Sequence, residues 1–516
     1  LTVRQAISLP IPRRRPRPIP TTPNHPVIII GAGIGGLAAA LELAASGHRV
    51  VVLEQAAAPG GKLRTVSIGA AEIDAGPTVI TMREIFDALF TRAGTRLDDH
   101  VTLIPLAILA RHHWRDGTQL DLLADPAASE AAISHAIGAP AAAAFRRFRA
   151  RSEAIYRTLD ASFMHNPAPS LIGVTRNAGL TGLAAFRAAS PFASLWDALG
   201  TCFADPHLHQ LFARYATYSG ASPFAAPATL MLIAHAEQAG VWRIAGGMRR
   251  LAEAIAGRAT SLGAVFHYNT KVAEILVEHG RVSGIRLQDG TTLAASAVIA
   301  NTELGAISAG ALGAAARAAI PPRLRDAKRS LSAVTWQVTA RVSGFPLSHH
   351  NVFFSADYAA EFAEIARARL PTDPTIYLCA QDRTGDRTES PPTTPERLLI
   401  LVNAPATGDR GTPDAAAIAA LWQRVTARLA AAGLTLTDID AGMTGPVEFH
   451  EKFPGAGGAL YGRDLAGWRD PFQRPAARTS LPGLYLAGGS AHPGPGLPMA
   501  ALSGHFAATA LTADRR

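Results

Sequence analysis

Residues 27–54 read VIIIGAGIGGLAAALELAASGHRVVVLE. Four β-branched residues, Val27, Ile28, Ile29 and Ile30, stand between Pro26 and Gly31, which predicts a short, fully buried strand. A G-x-G-x-x-G spacing follows on Gly31, Gly33 and Gly36, with Gly35 inside it. Residues 37–45 have helical composition and stop at Gly47, suited to the position just past a helix end. Residues 50–53 predict a second strand that ends on Glu54. Together these form a βαβ unit built for a dinucleotide. Gly31 allows the tight turn, Gly33 lets backbone approach a pyrophosphate, and Gly36 lets helix and strand pack closely. Glu54 stands where a carboxylate accepts ribose hydroxyls.

Bulk properties fit this reading. A chain of 516 residues exceeds one ordinary core, so two or more domains are expected. Hydrophobic content of 48% fits an ordered α/β protein. The formal charge is +9, but residues 1–26 carry five Arg and no acid, which leaves +4 for the rest. The basic balance is partly a property of that arm, and no nucleic-acid partner is inferred from it. The arm is Pro- and Arg-rich without period and reads as disordered, either an extension that does little or an electrostatic tether to anionic lipid. Cys202 and Cys379 are too few and too far apart for a disulfide framework, and no metal site is expected. His112-His113 and His349-His350 lack acidic or Cys partners at ligand spacing in the sequence and read as packed or solvated pairs. No transmembrane span and no secretory signal are expected.

Farther along, Pro59-Gly60-Gly61-Lys62-Leu63-Arg64 supplies a second loop where glycines precede cations. It suits a long cofactor such as FAD. Asp74-Ala75-Gly76-Pro77-Thr78 reads as a tight turn near that cofactor. Residues from about 100 to 240 look mostly helical, with Asp205-Pro206 as a helix start. Within them, residues 171–203 are apolar, broken by Gly and Pro, and carry Arg176, Arg187 and Trp196, a composition suited to a membrane interface. Strands are expected at 265–268, 272–277, 282–287 and 298–301, where the nucleotide domain resumes and Val272 approaches the cofactor. A second sheet is expected from 336–342, 375–380 and 398–402. Near the C-terminus a strand runs into Gly488-Gly489, and a helix follows Pro498-Met499. Its N-terminus is suited to stabilise a reduced flavin.

These pieces resemble the carotenoid desaturases of the phytoene desaturase type, within the flavin amine-oxidase-like superfamily, over residues 27–512. The carriers are the Gly31 loop, Pro59-Gly60-Gly61-Lys62, Asp74-Ala75-Gly76-Pro77-Thr78 and LYLAGGSAHPGPGLPM at 484–499. RYATYSG (214–220), residues 236–242, HHNVFF (349–354), CAQDR (379–383) and FPGAGGALYG (453–462) resemble one branch, the hydroxyneurosporene (methoxyneurosporene) desaturases of purple bacteria. The resemblance implies a Rossmann-type, discontinuous FAD-binding domain and a second α+β substrate and membrane domain. The expected division is an arm at 1–26, FAD-binding segments at 27–110, 241–305 and 466–516, a helical substrate and membrane region at 111–240, and a substrate sheet at 306–465.

The resemblance further implies insertion of the C-3,4 double bond into 1-hydroxycarotenoids, a step toward spheroidene and spirilloxanthin. A phytoene or neurosporene desaturase acting earlier is the alternative. The expected cofactor residues are Gly31, Gly33, Gly35, Gly36, Glu54, Gly60, Gly61, Lys62, Arg64, Gly76, Pro77, Thr78, Val272, Gly488, Gly489, Pro498 and Met499. Many relatives carry an acid after the C-terminal glycines. Here Ser490 stands there, and no acidic contact is assigned to it. His349, His350, Gln381, Asp382 and Arg383 are candidates for holding the substrate's tertiary hydroxyl. The polyene delocalises the developing cation, so no strong base is required and no catalytic residue is assigned. The protein is expected at the cytoplasmic face of the inner or intracytoplasmic membrane, peripherally bound, with oxygen or a quinone as electron acceptor.

Overall fold

The computed structural model describes residues 25–170, 173, 192–325, 327–385, 392 and 394–516. The expected arm lies outside them except for residues 25 and 26, as does most of the apolar stretch 171–203. Five parallel strands form the first sheet, in the order Leu484–Leu486, Ala297–Ala300, Val27–Ile30, Val50–Leu53, Val265–His267. The strand Val27–Ile30 is central because all four of its residues can be buried. Its side chains divide by the strand period of two. Val27 and Ile29 face a layer of helices, while Ile28 and Ile30 face the opposite cluster. The helical layer includes Ile34–Ala45, Arg249–Ser261 and Leu497–Asp514. The opposite face is covered partly by a three-stranded antiparallel sheet, Val272–Glu278, Arg281–Leu287 and Thr292–Ala294. One sheet is thus assembled from stretches of chain more than 400 residues apart.

A second, seven-stranded sheet has the order Leu434–Thr444, Ser332–Gly344, Glu396–Ala404, Ile376–Ala380, His350–Phe353, Ile108–His113, Gln119–Leu123. Its last two strands lie where the residue pattern suggested mostly helix. The reason is physical: ILARHH is buried at nearly every position, so it shows no alternation, and its histidines look polar yet sit inside. His112 packs against both Trp114 and Phe354, which also stack on each other, and His113 packs against Phe345 and Phe353. Helices Ala139–Leu159, Pro206–Ala213 and Leu232–Gln238 close over this edge of the sheet through Phe145, Phe148 and Phe212. Asp205 accepts a hydrogen bond from Leu208 N (3.0 Å) with Pro206 in the first turn, the cap that the sequence suggests.

Among the described residues no helix is long and apolar enough to cross a membrane. At the described end of the apolar stretch, Phe192 is 74% exposed and meets Trp468 edge-on. Trp196 instead stacks on His209 at 3.9 Å and packs against Phe224.

The helix Leu497–Asp514 lies against Ile34–Ala45 so closely that a Cβ on Gly504 would stand 2.1 Å from the Gly35 carbonyl oxygen. Gly504→Ala must push the two helices apart. It is expected to destabilise the protein by about 1–3 kcal/mol, read as a lowered thermal midpoint against wild type.

Candidate active site

A cavity of about 300 Å³ runs along the carboxyl ends of the five parallel strands. Open α/β sheets bind ligands there, because glycine turns and helix N-termini collect at that edge. Each strand contributes the residues that follow it: Gly31, Gly33 and Gly35 after the first, Glu54 after the second, Asn301 and Glu303 after Ala297–Ala300, and Gly488, Gly489 and Ser490 after Leu484–Leu486. Val272 and Lys271 flank the Glu54 end. Pro77, Leu460 and Tyr461 also line the cavity.

The turn at Gly31 has φ +94°, a conformation that favours glycine. A Cβ on Gly36 would stand 2.1 Å from the Gly31 carbonyl oxygen, so the helix begins against its own strand only because position 36 has no side chain. That helix starts at Ile34, three residues earlier than the composition suggested, and its free N–H groups therefore face the cavity. Glu54 Oε2 accepts from Ala32 N at 2.6 Å and Oε1 from Ala56 N at 2.7 Å, which fixes the carboxylate at the cavity's end. Gly60 donates its N–H to Ala32 O, and a Cβ on Gly61 would stand 3.2 Å from Gly33 Cα, so the second glycine loop lies directly on the first.

Not every expected residue reaches the cavity. Arg64 donates to Thr444 Oγ1 (3.1 Å) and lies near the Phe449 ring, away from the lining. Gly76 sits behind the Lys62 loop, where a Cβ would meet Lys62 O at 1.8 Å. Thr78 lines a smaller cavity of about 60 Å³ beside Cys379 and His349, and shares a 2.7 Å hydrogen bond with the Tyr377 hydroxyl. At the C-terminal helix the lining residues are Gly496, Leu497 and Ala500, not Pro498 or Met499, because the helix starts at Leu497.

Among the lining residues that were not anticipated, Asn301 and Glu303 are the most informative. Asn301 Nδ2 donates to Gly31 O (3.1 Å), and the Asn301 side chain stands against Gly35 and Gly488, joining three strand ends. Glu303 pairs with Lys62 Nζ (2.7 Å) and accepts from Ser490 Oγ. It places a carboxylate beside the C-terminal glycines, where Ser490 had suggested none. Lys62 also donates to Leu460 O (2.6 Å) and so braces the loop rather than pointing freely at a phosphate. Both residues follow a buried strand, a position that itself signals ligand contact in this fold.

The five substrate candidates do not converge. Gln381 makes two hydrogen bonds with the Asp74 backbone, to its N–H (3.0 Å) and its carbonyl (2.9 Å). Asp382 pairs with Arg397 and Arg383 with buried Glu396, so these polar groups tie strands together. His349 Nδ1 bonds Arg383 O (2.7 Å). His350 Nδ1 shares a 2.8 Å hydrogen bond with Tyr377 OH, while its Nε2 is buried without a partner. Strand pairing sets His350 opposite Cys379, so ligand-type atoms of His349, His350 and Cys379 lie within 4.8 Å of one another, a grouping that linear spacing hides. Burial pushes the Cys379 thiol up and holds the His350 imidazole well below its usual value, so these two side chains are neutral as they stand.

Burial alone would raise the Glu303 carboxyl, but the Lys62 charge and hydrogen bond, aided by Ser490, hold it below the ordinary carboxylate range. A depressed folded-state value contributes stability above the unfolded value and loses it as pH falls through the folded one. Lys62→Met leaves Glu303 buried without its counter-charge, at a cost of about 1–3 kcal/mol near pH 7. Denaturant melts at falling pH should show that deficit shrinking, because protonation removes the uncompensated charge.

The lining fits FAD: a fixed acid at one end, two glycine loops in contact, and helix N-termini facing the cavity from both Ile34 and Leu497. Residues 34–512 match the family model of the flavin containing amine oxidoreductases. A hydroxyneurosporene desaturase of Rubrivivax gelatinosus is 46% identical, over 95% of this chain and 94% of its own. A second hydroxyneurosporene desaturase, from Cereibacter sphaeroides, is 44% identical over 95% and 97%. Putrescine oxidase, crystallised with putrescine, superposes with a TM-score of 0.61 at 16% identity, over 95% of this chain and 99% of that one, and so shares the fold. The chain belongs to the flavin containing amine oxidoreductases, as an FAD-dependent oxidoreductase of the hydroxyneurosporene desaturase branch of carotenoid desaturases.

Proposed function

We propose that this chain desaturates an acyclic 1-hydroxycarotenoid, placing the C-3,4 double bond. The observation that carries this reading is the near full-length similarity to two hydroxyneurosporene desaturases, together with a cavity whose lining suits FAD. When bound, FAD supplies the two-electron acceptor for a hydride leaving an allylic carbon. The chain's own residues do the rest. Glu54 and the glycine loops around Gly31 and Gly60 hold the nucleotide, and Val272 flanks it. Gly488 and Gly489, which line the cavity together with Pro77 and Tyr461, would let backbone approach the cofactor's other end. The proton leaves the carbon next to the one that loses hydride. The conjugated chain spreads the developing charge, so orientation in a dry site matters more than a strong base.

The substrate is an apolar polyene that partitions into the bilayer. The exposed Phe192 beside Trp468, aromatic groups suited to the headgroup region, supports peripheral membrane binding. The proposed location is the cytoplasmic face of the inner or intracytoplasmic membrane of a photosynthetic bacterium. Oxygen or a membrane quinone takes the electrons onward.

Product analysis separates the two substrate readings. FAD-loaded protein in carotenoid-bearing liposomes should convert 1-hydroxyneurosporene to the 3,4-desaturated product and leave phytoene untouched. Conversion of phytoene alone would assign the earlier step. For the cofactor, Glu54→Gln removes a charged acceptor. Hydrogen bonds to charged groups contribute about 1.5–3 kcal/mol, so FAD titration of the apoprotein should show affinity weakened about tenfold or more.

A further inference from the structure

A 3,4-desaturase of 1-hydroxycarotenoids has a geometric problem that its regiochemistry sets. The hydroxyl oxygen is three bonds from C-3, which places it within about 4 Å of a reacting carbon. A hydrogen-bond partner adds one more contact distance, so it stands within about 7 Å of the reaction. The group that reads the hydroxyl therefore belongs in the wall beside the flavin end of the cavity, not at a remote tunnel end. With Glu54 marking the ribose end, the flavin end is the one bounded by Pro77, Tyr461 and Gly489.

A buried polar cluster lies behind that wall. Tyr218 OH donates to Glu237 Oε1 (2.9 Å) and accepts from Arg214 Nη2 (2.9 Å), and Tyr215 OH donates to the other Glu237 oxygen. Facing them, Tyr377 OH joins Thr78 Oγ1 (2.7 Å) to His350 Nδ1 (2.8 Å). Tyr218 and Tyr377 pack against the same hydrophobic cluster, so the two groups border one region of the core. Both groups touch the cavity lining. Thr78 follows Pro77, and Gly220, two residues beyond Tyr218, packs so tightly on the Tyr461 ring that a Cβ would stand 2.3 Å from it. Tyr218 and Tyr377 keep part of their surface accessible next to the buried Ser219, Ile376 and Leu378. Two polar atoms in these groups are buried without a partner, Arg214 Nε and His350 Nε2. An arginine N–H donates, and an imidazole nitrogen donates or accepts, which is what an alcohol requires. Burial keeps both phenols protonated, but the Tyr218 proton is already given to Glu237, so what a phenol oxygen offers the alcohol is an acceptor lone pair, beside the open Arg214 Nε and His350 Nε2.

We propose that the space between Tyr218, Tyr377 and His350, backed by Arg214 and Glu237, receives the tertiary hydroxyl of the substrate and so sets which end of the polyene meets the flavin. This rests on the 1-hydroxycarotenoid reading above. A site built around a hydroxyl discriminates strongly against an analogue lacking it, because the site's own polar groups are then left unpaired.

The test compares Tyr218→Phe and Tyr377→Phe, two conservative changes on separate elements, with wild type. FAD-loaded full-length protein in liposomes is assayed for kcat/KM on 1-hydroxyneurosporene and on neurosporene, which lacks the hydroxyl, with bound FAD measured in each preparation. The ratio of the two values is expected to fall at least about tenfold in one or both variants. A ratio unchanged in both variants, with the two rates falling together or not at all, would overturn the anchor while leaving the desaturase reading in place. A wild type that desaturates neurosporene and ignores the hydroxylated carotenoid would overturn that reading, and the anchor with it.

Discussion

Backbone must meet backbone at the carboxyl edge of the parallel sheet, and the rest of the molecule depends on that approach. The Gly31 carbonyl lies where a Cβ of Gly36 would be, Gly61 lies on Gly33, and Gly504 lies on the Gly35 carbonyl. Each contact brings a helix or loop within reach of one crevice, and the helix of Gly504 comes from the far end of the sequence. Asn301 ties the approach together by bonding Gly31 while standing against Gly35 and Gly488. The crevice is long because two glycine loops and two helix N-termini share it. That is the space a nucleotide joined to a flavin requires, and a single βαβ unit would not supply it.

Much of this could be read in the residues, and the exceptions share a cause. The strand Val27–Ile30, its turn, the helix after it and the C-terminal strand and helix all follow from local composition, since each is buried or capped by its own neighbours in sequence. The strands Ile108–His113 and Gln119–Leu123 did not, because the sheet they join is assembled from residues more than 200 positions away. The same limit explains Glu303. The sequence shows Ser490 in place of an acid, but only the folded sheet reveals that a neighbouring strand delivers a carboxylate to the same spot. His350 and Cys379 likewise become neighbours through strand pairing alone.

The branch-specific strings divide into two physical roles. CAQDR mostly braces structure: Gln381 holds the Asp74 backbone, and Asp382 and Arg383 pair across strands. Asp74 in turn accepts from Met248 N (2.8 Å), so this bracing fixes the wall that carries Pro77 and Thr78. RYATYSG is different. It gathers a buried arginine and two tyrosines around Glu237, and it leaves the Arg214 Nε unbonded. An enzyme for a plain hydrocarbon has no use for such a cluster, whereas one for a hydroxylated polyene does.

The central claim is that a carotenoid carbon surrenders its hydride directly to FAD held in this crevice. Anaerobic mixing of the FAD-loaded protein with liposomes containing 1-hydroxyneurosporene tests it most directly, with flavin absorbance and carotenoid products followed together. The account predicts loss of the oxidised flavin band with one new C-3,4 double bond formed for each flavin reduced, before any acceptor is added. Flavin that stays oxidised while substrate is present, or that is reduced without a matching carotenoid product, would contradict it.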